Sequence, residues 1–109
     1  MTNENISQGV RAALSSMRQH NRRTVIQSAT LKIGNFDFDC TAYDISLGGI
    51  RLKVDMPIKQ GTNVFVQLRN KIKQTARVVW AADGFMGLSF TENPESVKVG
   101  LGSLANGLT

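Results

Sequence analysis

The sequence predicts an all-β fold with flanking helices: a six-stranded antiparallel β-barrel, a short N-terminal helix and a weak C-terminal helix. Three observations carry that expectation. Between residues 24 and 90, apolar residues recur at a period of two in six short runs. Turn residues separate the runs, among them Gly34-Asn35, Pro57 with Gly61, Arg69-Asn70 and Asp83-Gly84. Outside that stretch the apolar spacing lengthens to three and four, which is helical. Closure into a barrel removes the two edges that six open strands would leave.

Ile6, Val10, Ala13, Leu14 and Met17 give residues 1–17 the pattern of an amphipathic helix, too short to hold without something to pack on. A mobile tail is the other reading. Residues 18–23, Arg-Gln-His-Asn-Arg-Arg, form a polar basic loop with no apolar residue. Thr24–Ile33 and Phe36–Tyr43 then read as a hairpin, with Phe36, Phe38 and Cys40 on one face of its second strand and Asp37, Asp39 and Thr41 on the other. Ile50–Val54, Asn63–Leu68, Lys71–Ala81 and Phe85–Phe90 supply the remaining strands. The barrel domain is expected over residues 18–91. In residues 92–109, Asn93-Pro94-Glu95 is a helix-start signature, and Val97, Leu101, Leu104 and Leu108 continue at helical spacing. Three glycines, Gly100, Gly102 and Gly107, weaken that helix by about 1 kcal/mol each against alanine.

Composition narrows the function. At 109 residues, with 41% apolar and 19% charged content, the chain is one globular domain. No apolar run approaches a membrane span of about 18 residues, and no signal pattern opens the chain, so a cytoplasmic location is expected. One cysteine, Cys40, agrees with a reducing compartment. A lone His20 and a lone Cys40 make no metal site. With one histidine and no paired carboxylates in a plausible pocket, nothing does acid–base work, and no enzyme or cofactor is expected. The net charge of +5 favours an anionic partner, and the arginines Arg18, Arg22 and Arg23 are the densest cationic cluster.

Asp44-Ile45-Ser46-Leu47-Gly48-Gly49 is the second cluster of interest. On an extended backbone Asp44 and Ser46 project from one face, and the two glycines admit positive φ and close approach of another molecule. A polar turn between two strands is the plain alternative, because Asp, Ser and Gly are ordinary turn residues.

Taken together, these pieces resemble the PilZ domain family, receptors for the bacterial second messenger cyclic di-GMP. Arg18-Gln-His-Asn-Arg22 matches the family's RxxxR loop and Asp44-Ile-Ser46-Leu-Gly-Gly49 its D/NxSxxG motif. Ala76-Arg-Val-Val-Trp80 with Gly87-Leu-Ser-Phe90 looks like its late strand pair, and the likeness covers roughly residues 18–91. The resemblance implies ligand-binding roles for Arg18, Arg22, Asp44, Ser46 and Gly49, and Gly48, whose bare backbone admits close approach, is a further candidate. Arginine's planar fork suits guanine O6 and N7 or a phosphate, while a carboxylate at Asp44 accepts from the guanine N1–H and N2–H₂ edge. Arg23 is an extra phosphate contact or a solvated charge. Trp80, the only tryptophan, reads as a core residue, or at the barrel rim as a stacking platform for a base.

The function implied is a sensor that binds cyclic di-GMP, changes conformation and regulates an unidentified downstream protein in motility, surface attachment or related signalling. Because Gln19, His20 and Asn21 offer no apolar contact, the loop is expected to be mobile until ligand orders residues 11–23. The helix bearing Ile6, Val10 and Leu14 would move with it and offer a partner surface. The alternatives are a basic barrel binding RNA or single-stranded DNA and a protein-interaction module without cyclic dinucleotide. Aromatic content of 6%, mostly on apolar strand faces, argues against nucleic acid, and the intact Arg and Asp-Ser-Gly pieces argue against a bare interaction module.

Overall fold

The structure is a computed structural model that describes residues 20–69 and 71–109. The expected N-terminal helix over residues 1–17, and Arg18, lie outside the described residues. Six strands follow: β1 (Arg23–Ile33), β2 (Phe36–Ile45), β3 (Gly49–Lys53), β4 (Asn63–Leu68), β5 (Ile72–Ala82) and β6 (Phe85–Phe90). Each lies within a few residues of where period-two patterning puts it. Every pairing is antiparallel, in the order β1-β2-β3-β6-β5-β4, and β4 returns to β1 to close the barrel. The β1–β2 turn needs a left-handed residue, which Gly34 provides at φ 58°.

Alternation sends one face of each strand inward. Leu31, Ala42, Ile45, Ile50, Leu52, Val66, Val78, Met86 and Leu88 are all within 1% of complete burial. β1 pairs with β4 only over Ala29–Lys32 but with β2 from Arg23 to Ile33. On its other edge β2 pairs with β3 only over Thr41–Ile45, so the tip half of β2 stands beyond that neighbour. Phe38 still packs against the core, but Phe36, expected on the same face, is 68% exposed.

The C-terminal segment departs from one continuous weak helix. Helix α1 (Pro94–Leu101) begins with Asn93, whose side chain accepts from the Ser96 N–H at 2.8 Å, and Pro94 occupies the first turn. At Gly102 the backbone turns to φ 60°, α1 ends, and a 3-10 turn runs over Gly102–Ala105. The four leucine and valine positions nevertheless stay on one side. Val97, Leu101, Leu104 and Leu108 are at most 2% exposed and belong to the barrel's own core. The backbone of α1 also comes close to β5: a Cβ built at Gly100 would fall 2.0 Å from the Gln74 amide nitrogen. Among the described residues no helix is long and apolar enough to cross a membrane.

Candidate ligand-binding site

Two β-bulges decide what faces out at one end of the barrel. In β2 the pairing with β3 steps from Ala42↔Leu52 to Asp44↔Arg51, leaving Tyr43 as the extra residue. Ala42 and Ile45 are buried, while Tyr43 and Asp44 both stay outside the core. In β5 the pairing with β6 steps from Val78↔Leu88 to Trp80↔Gly87, with Val79 extra. That extra residue reverses the parity of the strand. Trp80 therefore does not enter the core as one of its two readings had it. Its half-exposed indole lies on the outside, across β6, where a Cβ on Gly87 would come within 2.2 Å of its Nε1. Gly87 also pairs with Arg51 on β3. Trp80, Gly87, Arg51 and Asp44 thus form one row across four strands.

Arg22, immediately before β1, completes the row. Its Nε donates to Asp44 Oδ1 at 2.9 Å, and its Nη2 donates to the same oxygen. Arg51 Nη2 sits 2.8 Å from Oδ2. One carboxylate is therefore held between two guanidiniums, and the cluster carries a net charge of about +1, the sign suited to a phosphate. Arg51 was not singled out from the sequence. A signal existed: a hairpin closing over Ser46–Gly49 places position 51 opposite position 44.

Ser46 is fully buried, and its hydroxyl turns inward. Its Oγ accepts from the Gly48 N–H at 3.1 Å and the Gly49 N–H at 3.2 Å, and the Ser46 N–H donates to the Gly49 carbonyl at 2.9 Å. The Gly48 carbonyl in turn accepts from the Phe90 N–H at 3.0 Å, stitching the turn to β6. Ser46 and Asp44 thus do not project together as extended spacing implies, because Ser46 already belongs to the turn. Neither Gly48 nor Gly49 is among the positive-φ glycines of the described residues; the turn uses their bare N–H groups instead. Ser46, Gly48 and Gly49 thus form a hydrogen-bonded turn, with Asp44 at its mouth.

Arg23 points elsewhere than either of its readings. It donates from both Nη atoms to the carbonyls of Leu104 and Asn106, in the C-terminal segment. Its neighbours join the same segment. Asn21 donates to the Gly107 carbonyl at 2.7 Å and accepts from the Thr109 N–H at 2.8 Å. His20 Nδ1 lies 3.0 Å from the Thr109 carbonyl. The expectation that nothing holds this loop looked only for apolar contacts. Backbone groups more than 80 residues away hold His20, Asn21 and Arg23 instead.

Cys40, remote from this row, has its thiol pushed up to about 11 by burial, with the Asp39 charge adding to the effect. It is partly buried and packs against the core. Among the described residues no group of three His, Cys, Asp or Glu side chains is placed to hold a metal ion.

Comparison with known proteins bears on this geometry. The PilZ domain of CeSA from a cellulose-synthesizing bacterium is 20% identical, with a TM-score of 0.62, over 74% of this chain and 95% of that one. An uncharacterized Legionella protein is 21% identical, with a TM-score of 0.51, over 74% of this chain and 87% of that one. The Borreliella burgdorferi PlzA protein, solved in complex with c-di-GMP, is 16% identical with a TM-score of 0.58; 85% of this chain is covered, but only 43% of that one. At such identities the likeness is one of fold. No curated protein matches this sequence. The family model described as PilZ domain matches residues 16–106, from before the arginine loop to the far side of α1, and the chain belongs to the PilZ domain family.

Proposed function

We propose that this domain is a cyclic di-GMP receptor acting in the cytoplasm, a binding protein rather than a catalyst, whose occupied form regulates a partner protein in motility, surface attachment or related signalling. The observation that carries the reading is the Arg22–Asp44–Arg51 cluster at the mouth of the Ser46–Gly49 turn. It offers two kinds of recognition within one row. Arg22 has five N–H donors, and those not committed to Asp44 can take a phosphate or the guanine O6/N7 edge, with Arg18 the expected second fork. Asp44 is the acceptor for the guanine N1–H and N2–H₂ edge. Ser46, Gly48 and Gly49 build the turn that aims Asp44, and Trp80, lying outside the barrel in the same row, offers a face for a base.

The loop also supplies a route from ligand to surface. Arg22 neighbours Asn21 and Arg23, which hold the C-terminal segment, so a ligand that draws Arg22 off Asp44 acts on residues bonded to that segment. The altered surface is what a partner would read.

Calorimetric titration with cyclic di-GMP, cyclic di-AMP and GTP tests the reading. Cyclic di-GMP alone should bind at micromolar concentration or below. Arg22→Ala should weaken it roughly 5- to 150-fold, the loss of one good guanidinium pair worth about 1–3 kcal/mol. Equal binding of the three nucleotides, or an unchanged affinity in a folded Arg22→Ala variant, would overturn it.

A further inference from the structure

We infer that Arg51 is the residue that sets guanine selectivity, by holding the Asp44 carboxylate in the orientation that reads the base. This rests on the cyclic di-GMP reading and extends it to a residue outside the RxxxR and D/NxSxxG motifs.

Three observations converge on Arg51. First, its guanidinium is the partner of Asp44 Oδ2, at 2.8 Å, while Arg22 engages only Oδ1. The two arginines are not equivalent. Arg22 stands on the loop that precedes the barrel, whereas Arg51 stands in the middle of β3, paired on both sides with β2 and β6. When a ligand competes for a guanidinium, the loop arginine can leave and the strand arginine stays. Asp44 Oδ1 then becomes free for the base while Oδ2 keeps its partner.

Second, Arg51, though its side chain is 40% exposed, lies against two aromatic rings. Its guanidinium carbon lies 5.5 Å from the Tyr43 ring centroid and 5.2 Å from that of Phe85. The two rings meet edge to face, 5.1 Å apart at 84°. Cation–π attraction to both rings, which lie together on one side of the guanidinium, sets the fork's direction. Tyr43 reaches Arg51 because of the β2 bulge: without the extra residue, Tyr43 and Asp44 would face opposite sides of the strand. One irregularity therefore delivers both the carboxylate and one of the two rings that orient its partner.

Third, Arg51 Nε is buried and has no hydrogen-bond partner among the described residues. A side chain free to optimise its own hydrogen bonds would not keep that arrangement, since an unmet buried donor is costly. Packing against the two rings, with the Nη2 contact to Asp44, sets where the fork points.

The guanine edge needs an acceptor in a definite plane. A carboxylate tethered at one oxygen by a fixed guanidinium has that plane set in advance; one tethered only to a loop arginine loses it when the loop moves. Arg51 is thus a positioning residue, and its effect should appear in the ratio of affinities for two bases that differ only at the edge Asp44 reads. Hypoxanthine is guanine without the exocyclic amine, so cyclic di-IMP keeps the phosphates, the stacking face and N1–H, and lacks the N2 donors.

The experiment compares cyclic di-GMP with cyclic di-IMP on the wild-type chain, Arg51→Met and Arg51→Lys. Wild type should prefer cyclic di-GMP on the order of 10- to 100-fold, the worth of a charge-assisted bond. Arg51→Met should bring that ratio close to one. Arg51→Lys, which restores a cation near Oδ2, should recover part of it. A wild type that binds neither nucleotide overturns the receptor reading itself. A wild type that binds and discriminates, with Arg51→Met keeping the full ratio, overturns the role of Arg51 alone. Equal weakening of both nucleotides by Arg51→Met also overturns it, because that marks a phosphate or stacking contact. If Arg51→Met loses its barrel by circular dichroism, Phe85→Leu removes one ring and keeps the charge. It should lower the same ratio, and an unchanged ratio there counts against the inference.

Discussion

Replacing Gly87 with alanine separates the position of Trp80 from its chemistry. The added Cβ would stand 2.2 Å from Trp80 Nε1, 2.4 Å from Cε2 and 2.9 Å from Cδ1. Ordinary contact begins near 3.4 Å, so the indole edge must retreat by at least about 1.2 Å. It has room to do so. The obstructing atoms belong to a half-exposed side chain on the outside of the barrel, and the Gly87 backbone keeps its pairing with Arg51 and Trp80. Uncovering roughly 40 Å² of apolar surface costs about 1 kcal/mol. For a domain of this size that lowers Tm by about 4–8 °C. Since Trp80 is the only tryptophan, its emission reports the movement directly and should shift to the red. If the indole also stacks on a base, cyclic di-GMP binding should fall roughly 5- to 150-fold, the loss of about 1–3 kcal/mol. Unchanged emission and Tm would refute the placement of the indole over Gly87. A red shift with unchanged affinity would refute its part in binding while leaving the placement intact.

Two further expectations concern stability and reactivity. Ile26 is a β-branched residue held at φ 30° and 58% exposed, beside the register shift in β1, so Ile26→Gly should relieve strain at little loss of burial. A net gain of about 1 kcal/mol should raise Tm by a few degrees, and a lower Tm would contradict it. Cys40, with its thiol pushed up to about 11, should alkylate slowly at neutral pH, at a rate still climbing above pH 9; a plateau near 9 would count against its burial. The sign for stability follows. The folded thiol holds its proton to higher pH than the unfolded one, whose ordinary value is 9.0, so the contribution is present below pH 9 and lost as pH rises towards 11.

Period-two patterning and turn chemistry made the barrel legible, because inward residues such as Leu31, Leu52, Val66 and Leu88 alternate without interruption. The site was legible only in part. The sequence singles out Arg22 and Asp44, and the structure brings their side chains together. Alternation misleads where strands are bulged, and no local residue type marks the insertions at Tyr43 and Val79. Each one changes the side on which the following side chains emerge. Trp80 escaped the core for that reason, and Arg51 gained the Tyr43 ring as a neighbour. The anchoring of His20, Asn21 and Arg23 could not be read at all. Those side chains bond backbone groups of the C-terminal segment, and a backbone carbonyl has no sequence signature.

That last feature bears on which tail positions can drift. The side chains of His20, Asn21 and Arg23 meet carbonyls of Leu104, Asn106, Gly107 and Thr109 and the amide of Thr109. The grip is therefore on the path of the tail's main chain and is almost blind to the tail's own lettering. Two kinds of residue lay that path: the buried leucines at 104 and 108, and Gly102 and Gly107, at φ 60° and 84°. Ser103 and Asn106 are exposed and lend no side chain to the grip. Substitution can wander freely at these two positions across generations without loosening the arginine loop, whereas a β-branched residue at Gly102 or Gly107 would undo it from a distance. In this domain the tail's tolerance to mutation is inherited from geometry, and the letters that matter there are the ones that bend the chain.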